Sequence, residues 1–258
     1  MKTFIIANWK CNPVFSAEAE RLFNTVEKGM KRMSASRRNE NVEVVICSPF
    51  VYLWKLSSSK FESLALKLRL GAQDCHWEQE GAFTGEVSPI MLKNLGCDYV
   101  IVGHSERRKH FSEINEMVNK KLLAAFKVRL KPILCIGEKD GEEMSLVVKN
   151  QLVESLKDIT RTQMRNLIIA YEPIWAIGSG NPCKPDDAMK AALFIRKTLS
   201  ELYNRKLAEE IPILYGGSVN SKIAVDYIKG AGMNGLLIGG ASLDGTEFVK
   251  IVKQANNV

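Results

Sequence analysis

The chain has 258 residues, 46% of them hydrophobic and 25% charged, with 18 glycines and a formal net charge of +7. That much apolar material can build one large core, and the absence of low-complexity, Pro-rich or Ser-rich segments excludes units strung on a long linker, so residues 1–258 read as a single domain. The six cysteines (Cys11, Cys47, Cys75, Cys97, Cys135, Cys183) stand far apart with no CxxC pair, which argues against a metal site of ordinary spacing and a dense disulfide framework.

No window approaches membrane-spanning length. The basic excess predicts a surface that attracts anions, whether nucleic acid, an anionic membrane or a phosphorylated metabolite. Residues 1–7 lack the long apolar core and cleavage site of a signal peptide, so a reduced, cytoplasmic protein is the expectation. The most linker-like piece, residues 33–41, has only a loop's length.

Short apolar runs rich in β-branched residues recur at residues 3–7, 42–47, 68–72, 99–102, 132–136, 167–171, 213–215 and 236–238. Helical period fills residues 17–33, 113–127, 142–157, 185–207 and 246–254, and is weaker after the second and third runs. This alternation predicts an α/β fold with a parallel sheet, either a closed (β/α)8 barrel or an open doubly wound sheet. The strand ends favour the barrel. In chain order they carry Asn8 and Lys10, Ser48, Gln73, His104, Glu138, Glu172, Ser218, and Gly239 with Gly240, polar or glycine residues that closure would bring to one face.

Asn8 and Lys10 stand two residues apart, so strand alternation points both one way and Trp9 the other. The long loop of residues 75–88 carries Trp77 and Phe83, read either as a partner surface or as rings folded back on their own subunit. His76 in that loop has no second His at metal-ligand spacing. His104 stands at the start of a helical turn, where free N–H groups and the helix dipole favour a neutral imidazole. Glu106 follows, near enough to pair with Lys10 across a barrel mouth. Cys135 reads as core beneath the site, with no local His to activate it.

Residues 166–181, NLIIAYEPIWAIGSGN, are the most informative stretch. A buried strand ends on Glu172, Pro173 closes it, and a loop with two glycines carries Trp175 and Ile177, too apolar to favour water. A carboxylate beneath a loop that folds over it suits a general base; a solvated Glu beside an ordinary corner fits this stretch equally well. YGGSV and GGASL then end the last two strands in paired glycines, whose N–H groups can approach an anion.

The motifs NWK, GAFTGE, GHSERR, CIGE, AYEPIWAIGSG, YGGSV and GGASL stand in order along the chain, which closely resembles the triosephosphate isomerase family. The resemblance implies the glycolytic and gluconeogenic interconversion of dihydroxyacetone phosphate and D-glyceraldehyde 3-phosphate in a homodimer, with no metal or cofactor. It implies Glu172 as the base, His104 as the neutral electrophile, Lys10 as the cation beside the enediolate, Asn8 as a substrate contact and Glu106 as the carboxylate near both. Backbone N–H groups of Gly178, Ser218, Gly239 and Gly240 would hold the phosphate. Tyr215 would latch a closed lid, and Glu138 would partner Trp175. The loop holding Thr84 would insert beside the neighbour's Asn8 and around Cys11.

The chain departs from the family pattern in two places. Asn181, Pro182 and Cys183 replace the usual Lys-Thr-Ala at the second lid hinge, which predicts altered lid motion, and Ala7 replaces a glycine before Asn8. Other readings are a different phosphate-binding barrel, such as a phosphosugar epimerase or a Schiff-base aldolase, a catalytically dead homologue, and a basic scaffold for nucleic acid. No stretch alternates basic with stacking aromatic residues in favour of the last.

Overall fold

The computed structural model describes residues 2–34, 41–57, 67–178 and 180–258, so most of the 33–41 loop lies outside the described residues. Eight parallel strands close into a barrel in chain order: β1 (Thr3–Asn8), β2 (Val42–Cys47), β3 (Lys67–Ala72), β4 (Tyr99–Val102), β5 (Lys131–Ile136), β6 (Ile168–Tyr171), β7 (Ile213–Tyr215) and β8 (Gly235–Ile238). Closure sets Phe4 of β1 opposite Gly235 of β8. Gly235 has φ of +146°, and a Cβ there would lie 1.8 Å from the Phe4 carbonyl oxygen. Glycine alone lets the last strand seat against the first.

Alternate strand residues serve two cores, which is why the runs are apolar throughout rather than every second residue. Phe4, Ile6, Val45, Ile101, Ile133, Ile168, Leu214 and Leu237 fill the barrel, while Ile5, Val44, Ile46, Val100, Leu134 and Ile169 meet the helices outside. Near the N-terminal end of β2 Glu43 is buried and is satisfied by the ammonium of Lys2 and the hydroxyl of Tyr99.

The helices are α1 (Ser16–Ser34), α2 (Phe50–Ser57), α3 (Pro89–Asn94), α4 (Ser105–His110), α5 (Asn115–Lys127), α6 (Met144–Ser155), α7 (Arg161–Met164), α8 (Pro185–Leu202), α9 (Arg205–Glu210) and α10 (Gly245–Ala255). The expected helix over 185–207 is two. Asn204 breaks it by accepting the Leu207 N–H as an N-cap, and the Tyr203 hydroxyl donates to the carbonyls of Leu156 and Ile159. The expected helix from 113 begins at Asn115, because Glu113 turns inward, where it accepts the Gly103 N–H at 3.1 Å. Between β7 and β8 stands a turn of π-helix, Asp226–Gly230.

Candidate active site

Asn8, Lys10, His104, Glu172, Gly178, Ser218, Gly239 and Gly240 line one cavity of about 220 Å³ at the C-terminal ends of the strands. That is smaller than the roughly 300–1,000 Å³ of pockets that take drug-sized molecules. Glu106 is not on its wall but joins two groups that are: Oε1 is 2.6 Å from Lys10 Nζ and Oε2 is 3.6 Å from His104 Nδ1. Strand alternation does not aim Lys10, contrary to expectation. The strand ends at Asn8, Lys10 takes φ of +54°, and its N–H donates to Asn8 Oδ1 at 3.0 Å. A left-handed turn thus brings both side chains to the cavity, while Trp9 is buried in the outer core.

His104 precedes the first turn of α4, and its Nδ1 accepts the Glu106 N–H at 3.2 Å. That contact leaves Nε2 to carry the ring proton, 3.1 Å from Glu172 Oε1. Glu172 is 2% exposed, and its other oxygen accepts the Ser105 N–H at 3.2 Å. Burial works to raise the carboxyl's pKa, and the His104 ring with the Ser105 amide outweighs it, so the pKa lies below the ordinary glutamate value. Burial also resists charge on His104, yet the adjacent Glu172 anion draws the ring's pKa up. The rise differs from the expected neutral ring and comes first from the Glu172 contact, with the Glu106 carboxylate adding to it and Lys10 opposing it. An atom placed between His104 and Glu172 removes that first cause, while the Glu106 amide continues to oppose a proton on Nδ1.

After Glu172 the chain makes a 3-10 turn, Ile174–Ala176. Trp175 remains 37% exposed, and its Nε1–H donates to Glu138 Oε1 at 3.1 Å. The Ser218 hydroxyl donates to the Ala176 carbonyl at 2.7 Å, and the Cys183 N–H donates to the Tyr215 hydroxyl at 3.0 Å. The segment is therefore fastened at Ala176 to the loop after β7 and at Cys183 to the end of β7 itself.

A sequence model of the triosephosphate isomerase family matches residues 3–255. Proteins named triosephosphate isomerase are 43% identical in Dictyoglomus thermophilum, over 98% of this chain and 99% of that one, and 42% identical in Aquifex aeolicus over the same shares. One from Carboxydothermus hydrogenoformans is 43% identical over 98% of each chain. The chain belongs to the triosephosphate isomerase family.

Sequence reading gave no role to several residues that shape this triosephosphate isomerase family site. Ser105 supplies the amide under Glu172, and a Cβ on Gly216 would lie 2.8 Å from Glu172 Cγ. Both stand inside quoted motifs, GHSERR and YGGSV, which was the available signal. Tyr227, whose hydroxyl reaches Cys183, left none. In the aromatic loop the rings of Trp77 and Phe83 lie 4.3 and 4.6 Å from that of His76, folded back on their own chain, and Phe83 is still 44% exposed. Cys135 is buried with its thiol pKa pushed up, mainly by burial. Among the described residues no His, Cys, Asp and Glu cluster is arranged to hold a metal ion, and no helix is long and apolar enough to cross a membrane.

Proposed function

We propose that this chain catalyses the reversible isomerisation of D-glyceraldehyde 3-phosphate and dihydroxyacetone phosphate by proton transfer through an enediolate. The observation that carries this reading is the buried Glu172 carboxylate, 3.1 Å from Nε2 of His104 on the wall that also bears Lys10. Glu172 removes a proton from the carbon beside the carbonyl and returns it to the neighbouring carbon. Both its oxygens are held in the structure, by His104 and Ser105, so substrate takes its place at Nε2 and the carboxylate turns to the carbon. The His104 Nε2–H donates to the oxygen that becomes anionic, and Lys10 supplies fixed positive charge beside it.

Gly178, Gly239 and Gly240 offer backbone N–H groups to the phosphate, and Ser218, whose N–H donates to the Ala176 carbonyl at 3.2 Å in this structure, joins them once that bond is released. Gly240 opens the 3-10 turn Gly240–Leu243, a position that favours an anion. Residues 173–183 act as a lid that excludes water and grips the phosphate, so that the enediolate does not expel it. The proton transfers use side chains alone and call for neither metal nor cofactor. No nucleic acid and no membrane enters this reading.

We further infer a homodimer through the loop containing Thr84. Supporting this are the exposed apolar side chains Val14, Phe15, Val51 and Phe83 and the exposed Cys11. The loop after β1 and helix α2 form one surface, because the Tyr52 hydroxyl donates to the carbonyls of Pro13 and Val14. A cytoplasmic setting suits six unpaired cysteines. The test is a coupled assay on D-glyceraldehyde 3-phosphate with the native chain, Glu172→Asp and His104→Gln. The native chain turns over and each variant loses about 10²–10³ in kcat. Full activity in a variant overturns its role, and none in the native chain overturns the function.

A further inference from the structure

Cys183 joins the lid to α8, and both of its main-chain polar groups are held by tyrosines. Its N–H donates to the Tyr215 hydroxyl at 3.0 Å, and its carbonyl accepts from the Tyr227 hydroxyl at 2.5 Å. Pro182, the residue before it, has no N–H to offer. Tyr215 ends β7 and Tyr227 stands on the π-helical turn that follows, both buried, with ring centroids 3.9 Å apart and planes 5° from parallel. Aromatic pairs prefer offset or edge-on arrangements with centroids about 4.5–7 Å apart. So close a parallel stack is held by its surroundings; at its polar tips the two hydroxyls interact with each other and make those two hydrogen bonds to Cys183.

We propose that Tyr227 is a positioning residue for the reaction, a second clasp on the lid hinge that holds the Cys183 carbonyl and braces the Tyr215 ring to receive the Cys183 N–H. The inference rests on the lid reading above. When the clasp is lost the lid opens more often over the enediolate, whose C–O bond to phosphate then breaks. Phosphate leaves with the electron pair, and the remaining enol rearranges to methylglyoxal.

The measurement is the ratio of inorganic phosphate released to triose isomerised, for the native chain, Tyr215→Phe and Tyr227→Phe. A defect that only lowers the amount of folded enzyme leaves this ratio unmoved. Each variant is expected to raise it about threefold to tenfold, the range for one neutral hydrogen bond. If Tyr227→Phe does not fold, Tyr227→Leu is read in the same way. A native ratio with Tyr227 replaced, beside a raised ratio in Tyr215→Phe, overturns the second clasp and leaves the lid standing. A native ratio in both overturns the lid reading and the clasp together.

Discussion

Glu172 shows how closely a single residue's environment limits its chemistry. A Cβ on Gly216 would sit 2.8 Å from its Cγ, a contact closer than carbon atoms tolerate. Gly216→Ala should therefore displace the carboxylate by a fraction of an ångström to an ångström and lower kcat about 100-fold with the fold intact, as steady-state kinetics beside circular dichroism would register. The pH profile follows from the signs of the shifts. Glu172 is held below the ordinary glutamate range, so it stays ionised as pH falls toward 5. A substrate phosphate ester loses its second proton near pH 6, about one unit above that limit. We expect kcat/KM to bend near pH 6 with the substrate's own ionisation and to show no second acid limb from the free chain's Glu172 down to about pH 5. A second limb in kcat/KM between pH 5 and 6 would contradict the lowered pKa of Glu172.

At the scale of elements, a cluster of three buried charges and the half-buried Arg107 ties the base of the Thr84 loop to α4 and α5. Lys121 of α5, 4% exposed, bonds to Asp74 at 2.8 Å and also to Glu113, and Arg107 of α4 lies 2.8 Å from Asp74 and 2.9 Å from Glu113. Removing one partner leaves the remaining charges short of compensation, so Lys121→Met should destabilise the chain by about 3–5 kcal/mol in denaturant titration. The two carboxyls titrate apart. Burial, only partly offset by Lys121, pushes Asp74 up to about 6, while Glu113 is lowered because Lys121 and Arg107 outweigh its burial. A folded pKa above the unfolded value of about 3.9 means that the folded chain binds more protons between pH 4 and 6, so this group's contribution to stability falls as pH rises through that window. Asp74→Asn should remove that slope, the difference in stability from native changing by about 2–3 kcal/mol between pH 4 and 7. The second hinge of the proposed lid belongs to this scale too. Pro182→Thr restores backbone freedom beside Cys183, and lid exchange rates measured by NMR relaxation should change with it.

The whole molecule is a barrel whose proposed partner surface lies beside its catalytic face, because the same β-to-α loops make both. Native chain should sediment as a dimer at micromolar concentration, and Phe83→Glu, which sets a charge on the exposed face of the Thr84 loop, should shift it to monomer with loss of activity. A native monomer would overturn the homodimer. Much of this architecture was legible beforehand. Strands buried on both faces leave uninterrupted apolar runs, helices leave their own period, and polar or glycine residues mark the strand ends, all of them short-range patterns. The split at Tyr203, the left-handed turn at Lys10 and the pair of Tyr227 with Cys183 were not. Sequence by itself determined the strand count, the order of the elements and the residues at the barrel mouth, since these follow from neighbours a few positions apart. Sequence reading allowed Glu106 to pair with Lys10, and the structure brings them together across 96 positions; only the tertiary structure decided that Glu172 rests between His104 and the Ser105 amide 67 positions away. Such contacts depend on the radius and closure of the barrel, a property of all eight strands together that no local pattern contains.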